Sequence, residues 1–283
     1  MMEIRQLSPA AGAEIRNLDV STPVPEEDLG RLKDALCHHG MLLIRGQSLS
    51  QQQLVDFTKQ LGPSESYEVV GHPFLLPGYP DIISISNVVE NGLPIGVKDA
   101  GIYWHTDGSY LEQPAWASLL YALEVPQTPE GEPLGDTMFA NMAAAFEALP
   151  AAEQERLKGL SALHQYVWRS HQQKEGEVPL SAIRPVVLKH PVTGKSLIYV
   201  NRGFTTRILD LPEDEASALL QGLCEHATQQ AFRYTHKWRV GDVVLWDNYT
   251  VQHNAVPNYG TLRRRMWRTT VRGFPWRDGA FVS

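Results

Sequence analysis

The stretch Gly241-Asp242-Val243-Val244-Leu245-Trp246-Asp247-Asn248 contains an apolar run between two pairs of turn-forming residues. A short run of Val, Leu and Trp with such boundaries predicts a β-strand that ends in a turn. A histidine, His253, follows directly in Val251-Gln252-His253-Asn254-Ala255. The segment therefore predicts a strand that ends in a turn, with His253 shortly after that turn.

Runs of this kind outnumber helical patterns in the rest of the sequence. The predicted strands are Met41–Arg45, Asp81–Ser86, Ala117–Val125, Ser196–Val200, Asp242–Trp246 and Met266–Arg272. Leucine spacing and flanking cap residues predict helices, and these are Pro25–His39, Ser50–Leu61, Asn141–Leu149 and Glu213–Ala227. Because strands and helices do not alternate, a doubly wound parallel sheet is not expected. The pattern favours an α+β protein that is mainly β: a sandwich or barrel of mostly antiparallel strands, with helices packed outside.

The length of 283 residues allows one or two domains. The Pro- and Gly-rich stretch Gln127–Gly135 is short and is typical of a surface loop rather than of a linker between domains. We therefore expect a single domain over residues 1–283, long enough to bury a core without disulfides.

Charge and cysteine content exclude several classes of protein. The formal net charge of −7 argues against a nucleic-acid partner. No apolar run approaches the roughly 20 residues that a membrane helix needs, and Met1–Gln6 lacks the apolar core of a signal peptide. The two cysteines cannot form a disulfide framework. We expect a cytoplasmic protein with neither membrane nor nucleic-acid partners, and the sequence leaves homo-oligomer formation open.

A histidine and an aspartate stand two residues apart in Tyr103-Trp104-His105-Thr106-Asp107-Gly108. In an extended segment, residues i and i+2 point to the same side, so His105 and Asp107 would converge on one point. This mixed nitrogen and oxygen donor set suits Fe(II). The alternative is an aspartate that caps a helix beside a core histidine.

A third ligand, His253, would complete a set of two histidines and one carboxylate, which leaves coordination positions open for small molecules. The alternative for His253 is an ordinary loop histidine whose ring is satisfied by hydrogen bonds.

The run Arg263-Arg264-Arg265-Met266-Trp267-Arg268 places Arg264, Met266 and Arg268 on one face of a strand. Arg264 and Arg268 would lie roughly 13 Å apart along that strand. A guanidinium binds a carboxylate with two parallel N–H donors. The separation of the two arginines is too great for one small carboxylate, so it suits two separate anionic groups. The alternative is an exposed edge strand that is protected by cations.

The combination resembles the Fe(II)- and 2-oxoglutarate-dependent dioxygenases of the taurine / 2,4-dichlorophenoxyacetate dioxygenase (TauD/TfdA) family. The matching pieces cover nearly the whole chain in order. They are Gly12-Ala13-Glu14-Ile15, His39–Gln47, Leu61-Gly62-Pro63, Trp104-His105-Thr106-Asp107, Gly135-Asp136-Thr137, Tyr199–Thr205, Trp246-Asp247-Asn248, Gln252-His253 and Arg263–Arg268.

The resemblance implies a double-stranded β-helix (jelly roll) with flanking helices. It implies that His105, Asp107 and His253 hold Fe(II), and that Arg264 and Thr137 hold the far carboxylate of 2-oxoglutarate. In the reaction that it implies, O2 and 2-oxoglutarate give succinate, CO2 and an oxidised substrate. The outcome would be hydroxylation, in some cases followed by C–S or C–O cleavage.

For the substrate, the resemblance implies that Arg268 holds an anion, that His72 donates to it and that Phe204 lines the pocket. Gly101 and Leu75 depart from the taurine-type pattern, in which Asn and Tyr stand near these positions. These departures argue against taurine itself. They leave a small anionic organic substrate such as a sulfonate, sulfate, carboxylate or aryloxy acid.

Two other functions compete with the dioxygenase. A cupin-like hydrolase or isomerase could use the same three metal ligands, but it would not need Arg264 and Thr137 for a dicarboxylate. A non-catalytic anion-binding relative would have no reason to keep all three ligands intact.

Overall fold

The computed structural model describes residues 2–67, 72–166, 179–277 and 280–281. The α-helices among them are α1 (Glu26–His39), α2 (Gln51–Leu61), α3 (Met142–Glu147), α4 (Ala151–Leu157) and α5 (Glu213–Ala227). The strands are β1 (Glu3–Gln6), β2 (Ala13–Arg16), β3 (Met41–Ile44), β4 (Leu75–Leu76), β5 (Tyr79–Ser86), β6 (Val89–Glu90), β7 (Leu93–Pro94), β8 (Ala115–Glu124), β9 (Thr137–Asn141), β10 (Ser161–Gln165), β11 (Ser181–Pro185), β12 (Val187–Lys189), β13 (Ser196–Ile198), β14 (Thr205–Ile208), β15 (Arg233–His236), β16 (Val243–Asp247), β17 (Val251–Ala255), β18 (Arg265–Arg272), β19 (Trp276–Arg277) and β20 (Ala280–Phe281).

All four predicted helices and all six predicted strands are present. Helix α4 and several strands were not predicted, and of these β9, β15 and β17 matter most because they form a sheet of their own. The expectation of a mainly β protein with helices is confirmed. Among the described residues, no helix is both long and apolar enough to cross a bilayer.

The largest sheet has the strand order β1-β2-β3-β16-β8-β18-β5-β4. Its neighbours are antiparallel except β2 and β3, which run parallel. Helix α1 lies between β2 and β3 in the chain, and parallel neighbours need a crossover connection of this kind. Strand β16 lies inside the sheet, between β3 and β8, so both of its edges are hydrogen-bonded.

Strand β16 is also buried on both faces, which explains its uninterrupted apolar run. Val243 and Leu245 belong to one buried cluster, together with residues of α1 and α2. Val244 and Trp246 belong to a second cluster, which also contains Phe139 of β9. Because this second cluster contains residues of both the large sheet and the β15-β9-β17 sheet, the two sheets pack face to face across it.

The chain passes from one sheet to the other between β16 and β17. Gly40, which ends α1, lies against this crossing. Its φ is +72°, and a Cβ added there would lie 2.6 Å from Val251 Cγ1. The Gly40 carbonyl accepts a hydrogen bond of 2.9 Å from the Asp247 N–H. Glycine at this position therefore allows the end of the helix to approach the start of β17.

We expect Gly40→Ala to lower the free energy of unfolding by about 2 kcal/mol or more, because it adds backbone strain to a steric clash. Gly30→Ala, in the same helix, is the matched control. A Cβ at Gly30 meets nothing within 4 Å, so this substitution should stabilise the helix by about 0.5–1 kcal/mol. Urea denaturation of both variants measures the difference, and coincident unfolding midpoints would contradict the explanation.

Candidate active site

The structure brings His105, Asp107 and His253 together. His105 and His253 form an isolated antiparallel bridge, in which each backbone N–H donates to the other residue's carbonyl, at 3.1 and 2.9 Å. Their ring centroids lie 4.1 Å apart. The Asp107 carboxylate lies 3.7 Å from His105 Nε2 and 3.9 Å from His253 Nε2. One ligand atom from each residue lies within 4.8 Å of the other two, so the three side chains could share one ion.

Both imidazoles are prepared to act as ligands. His105 Nδ1 lies 2.8 Å from the Tyr103 carbonyl, which can only accept a hydrogen bond, so Nδ1 carries the proton and Nε2 keeps its lone pair. The His253 ring packs 4.7 Å from Trp246. Burial lowers the pKa of His105 and lowers that of His253 further, with the nearby His105 ring adding to the effect on His253. Neutral imidazoles are the form that binds metals.

The Asp107 carboxylate is ionised. Burial acts to raise its pKa, but the Arg268 guanidinium, followed by the two imidazoles and a hydrogen bond from Ser118, holds that pKa well below its usual range. Arg268 Nη2 lies 2.8 Å from Asp107 Oδ2, and Ser118 Oγ donates to the same oxygen at 2.7 Å. The site therefore offers two neutral nitrogens and one carboxylate, a donor set that fits Fe(II).

A second buried group has similar residue types, namely Cys37, His190 and Asp247. Its hydrogen bonds show that it needs no metal. His190 Nδ1 accepts from the N–H groups of Val192 and Thr193, both at 3.1 Å, so Nε2 must carry the proton. It donates that proton to Asp247 Oδ2 at 2.8 Å. Burial raises the pKa of the Cys37 thiol far above its ordinary value. This group is a satisfied structural network.

Arg264 is a buried cation, and it makes no ion pair with a carboxylate among the described residues. Burial lowers the pKa of its guanidinium, and its Nε has no hydrogen-bond partner in the same part of the chain. Glycine at position 135 leaves room for the Arg264 side chain, because a Cβ at this position would lie 3.0 Å from Arg264 Nε. Such a site favours an anion as the missing partner.

Thr137 lies at the start of β9, two residues after Gly135. It is opposite Ala255 in β17, and Ala255 is two residues beyond His253. Thr137 Oγ1 accepts a hydrogen bond of 3.0 Å from Trp238 Nε1, which leaves the hydroxyl proton available for donation. The threonine thus lies in the sheet that carries His253, close to the glycine that contacts Arg264.

Of the two arginines predicted to face inward, Arg268 lies in β18 and Arg264 directly precedes the strand. Met266, between them, belongs to the cluster that lies between the two sheets, whereas Trp267 belongs to the cluster on the other side. Strand β18 pairs with β8 on one side and β5 on the other. The alternative of an exposed edge strand is therefore wrong.

Phe204 and His72 lie at different distances from the metal-ligating group. Phe204 is buried and contacts the His105 ring edge-to-face, with centroids 5.8 Å apart. His72 lies beyond Tyr67, with ring centroids 6.2 Å apart. Tyr67 in turn donates a hydrogen bond of 2.6 Å to Thr270 of β18. Phe204 thus touches the candidate ligands directly, whereas His72 reaches that region through Tyr67.

Sequence reasoning missed several side chains at this site. Tyr110 packs 4.8 Å from Phe204, and Tyr103 packs 4.9 Å from the His105 ring. Burial raises the pKa of Tyr103 to about 12, so it remains a neutral donor. The proximity of Tyr103 and Tyr110 to the His105 motif was an available signal. Ser118 gave none, because it lies among the first eight residues of β8, which are all buried.

Comparison with known proteins gives one consistent result. Residues 3–270 match the family described as "Taurine catabolism dioxygenase TauD, TfdA family". The chain is 32% identical to an alpha-ketoglutarate-dependent 2,4-dichlorophenoxyacetate dioxygenase of Cupriavidus pinatubonensis, over 94% of this chain and 96% of the other. It is 30% identical to pentalenolactone F synthase of Streptomyces arenae, and the match covers 95% of this chain and 96% of the synthase.

Solved structures are similar along almost the full length. A taurine dioxygenase from Burkholderia xenovorans superposes with a TM-score of 0.82 and 29% identity, covering 100% of this chain and 96% of that one. AAD-2 in complex with Mn(II) and N-oxalylglycine superposes with a TM-score of 0.79 and 26% identity, covering 96% and 98%.

Metal titration distinguishes the two buried groups. We expect the metal-free protein to bind one Co(II) per chain, and Asp107→Ala or His253→Ala to abolish saturable binding because each removes a ligand. Cys37→Ser, in the other group, should leave binding unchanged. Calorimetry and the visible absorption of Co(II) measure this. Loss of binding in Cys37→Ser with retention in Asp107→Ala would reverse the assignment.

Proposed function

The chain belongs to the TauD/TfdA family, and we propose that it is an Fe(II)- and 2-oxoglutarate-dependent dioxygenase that oxidises an aliphatic C–H bond of a small anionic organic substrate. The observation that carries this proposal is the convergence of His105, Asp107 and His253, together with Arg264, a buried arginine that has no acidic partner in the part of the chain that the structure describes. The overall reaction is substrate, O2 and 2-oxoglutarate to hydroxylated substrate, succinate and CO2.

In this proposal, His105, Asp107 and His253 hold the iron. When bound together with 2-oxoglutarate and O2, Fe(II) supplies the oxidant that breaks the substrate C–H bond. Arg264 holds the distal carboxylate of 2-oxoglutarate with paired N–H donors, and Thr137 adds a hydroxyl donor. The charge of Arg264 is thereby compensated only when the cosubstrate is bound, which gives the site selectivity for a dicarboxylate over a monocarboxylate.

The substrate lies on the other side of the metal ligands, by the same proposal. Arg268 is the anion-binding residue, because its Nε has no partner among the described residues and keeps a donor for a ligand. Phe204, packed on His105, forms an apolar wall that orients the substrate carbon and excludes water. His72, whose ring contacts Tyr67, lies at the rim of the substrate site and donates a hydrogen bond to the substrate anion.

The relatives support an anionic substrate. One acts on 2,4-dichlorophenoxyacetate and another, by its description, on taurine, so an aryloxy acid or a sulfonate is the substrate class that we propose. A neighbour was crystallised with Mn(II) and N-oxalylglycine, a compound that has the same two terminal carboxylates as 2-oxoglutarate. These relatives favour the dioxygenase over a cupin-like hydrolase or a non-catalytic anion-binding protein.

We further propose that residues 1–283 form one domain whose two facing sheets are those of a double-stranded β-helix. The family membership and the packing of β9, β15 and β17 against the large sheet support this fold. Cys37 and Cys224 are free thiols, which agrees with the cytoplasmic location that the sequence predicts.

The two inward-facing arginines should have separable roles. We expect Arg264→Ala to weaken 2-oxoglutarate binding by at least about thirtyfold, because loss of one member of a buried charge pair costs about 2–5 kcal/mol. Arg268→Ala should change 2-oxoglutarate binding far less. Arg263→Ala is the control, since Arg263 is exposed and paired with Glu124 at 2.8 Å. Calorimetry with Mn(II) present measures the affinity for 2-oxoglutarate. Equal losses of affinity in the Arg264 and Arg268 variants would contradict the separate roles of the two arginines.

Substrate-dependent succinate formation tests the function itself. We expect at least one compound from a panel of sulfonates, alkyl sulfates, carboxylates and aryloxy acids to raise succinate production above the uncoupled background. Arg268→Ala should remove this stimulation while the background remains. If no compound stimulates the reaction, or if Asp107→Ala produces as much succinate as the unmodified protein, the proposed chemistry is wrong.

A further inference from the structure

The two oxygens of the Asp107 carboxylate have different surroundings. Oδ2 receives Ser118 Oγ at 2.7 Å and Arg268 Nη2 at 2.8 Å. Oδ1 faces His105 Nε2 at 3.7 Å, which is beyond hydrogen-bond distance. The nearest carboxylate oxygen to His253 Nε2 is Oδ2, at 3.9 Å. Oδ2 is therefore engaged by two donors of the protein, whereas Oδ1 faces His105 and receives no hydrogen bond from either of these donors.

The contacts of Asn248 show which group donates and which accepts in the hydrogen bonds that lead to the Asp107 carboxylate. Its Oδ1 lies 3.0 Å from Trp246 Nε1 and 3.2 Å from the backbone N of Asp107. Both of these groups can only donate, so the atom that they contact must be the amide oxygen. The amide nitrogen, Nδ2, then lies 3.0 Å from Ser118 Oγ and must donate to it.

This assignment fixes the Ser118 hydroxyl. Because Ser118 Oγ already accepts from Asn248, its single proton is directed to Asp107 Oδ2. Ser118 is fully buried, and Asn248 and Trp246 are at most 2% exposed, so solvent does not compete for these donors. The chain Trp246–Asn248–Ser118–Asp107 thus has one polarity and ends on one oxygen.

We propose that Ser118, oriented by Asn248, is a positioning residue that engages Oδ2 of Asp107 and so presents Oδ1 alone to the metal. This inference rests on the proposed function, because it assumes that Asp107 binds the metal. Arg268 contacts the same oxygen but is also the residue assigned to the substrate anion. Ser118 therefore supplies the contact to Oδ2 that does not depend on whether substrate is bound.

The packing of the strands gives Ser118 this role. In the sheet, Ser118 of β8 lies opposite Trp246 of β16 and Thr270 of β18, and Trp246 is in the cluster between the two sheets. Ser84 of β5 is equally buried but lies opposite Trp267, on the other side of the same sheet. Ser84 is the matched control because its hydroxyl faces away from the metal ligands.

Co(II) binding to the metal-free protein tests the proposal without relying on activity. We expect Ser118→Ala to weaken Co(II) binding by about tenfold or more, in the range found when partners of metal ligands are removed, and to change the visible d–d bands because Oδ2 then keeps only the Arg268 contact. Ser118→Thr, which keeps the hydroxyl, should restore most of the affinity and the original bands. Ser84→Ala should behave like the unmodified protein.

The possible failures can be told apart. Absence of Co(II) binding in the unmodified protein would contradict the proposed function. Normal binding there, with unchanged affinity and spectrum in Ser118→Ala, would overturn only the role of Ser118. Equal losses in Ser118→Ala and Ser118→Thr would show that packing at this position matters instead of the hydroxyl, and would also overturn it. Circular dichroism of each variant confirms that it is folded.

Discussion

The backbone pairing of His105 with His253 is the constraint on which the site depends. These residues exchange two hydrogen bonds, and directly opposed residues of an antiparallel pair project to the same side. His105 lies outside the named strands, in a loop that is held close by two glycines. A Cβ at Gly101 or at Gly203 would lie 2.8 Å from the His105 side chain. The absence of side chains at these two positions therefore allows the histidine to reach β17.

Charge is distributed unequally across the site. Asp107 and Arg268 compensate each other at 2.8 Å, whereas Arg264 is buried without an acidic partner among the described residues. A buried, unpaired guanidinium is costly, so its presence is best explained by an anion that binds there. In the proposed function, the distal carboxylate of 2-oxoglutarate would be that anion.

The contrast between His105 and His190 shows how hydrogen bonds separate a ligand from a structural residue. His105 Nδ1 contacts a carbonyl and must be protonated, so Nε2 is free to bind a metal. His190 Nδ1 contacts two N–H groups and cannot be protonated, so Nε2 carries a proton that Asp247 accepts. Both histidines lie beside a buried aspartate, and only the partner of the second nitrogen distinguishes them.

The main helices, the long strands and part of the candidate site could be predicted from the sequence. The periodicity of apolar residues identified the main helices and long strands. The spacing of His105 and Asp107 predicted a pair of candidate metal ligands, because i and i+2 geometry is a local property of an extended chain, and the structure brings this pair together with His253. The short strands β9, β15 and β17 were missed because segments of four or five residues carry little periodic signal. Only the tertiary structure decided that Ser118 contacts Asp107, that Arg264 has no acidic partner within the described ranges and that the Cys37 group needs no metal. Each of these depends on contacts between segments far apart in the chain, and such contacts are fixed by how the two sheets pack rather than by local sequence.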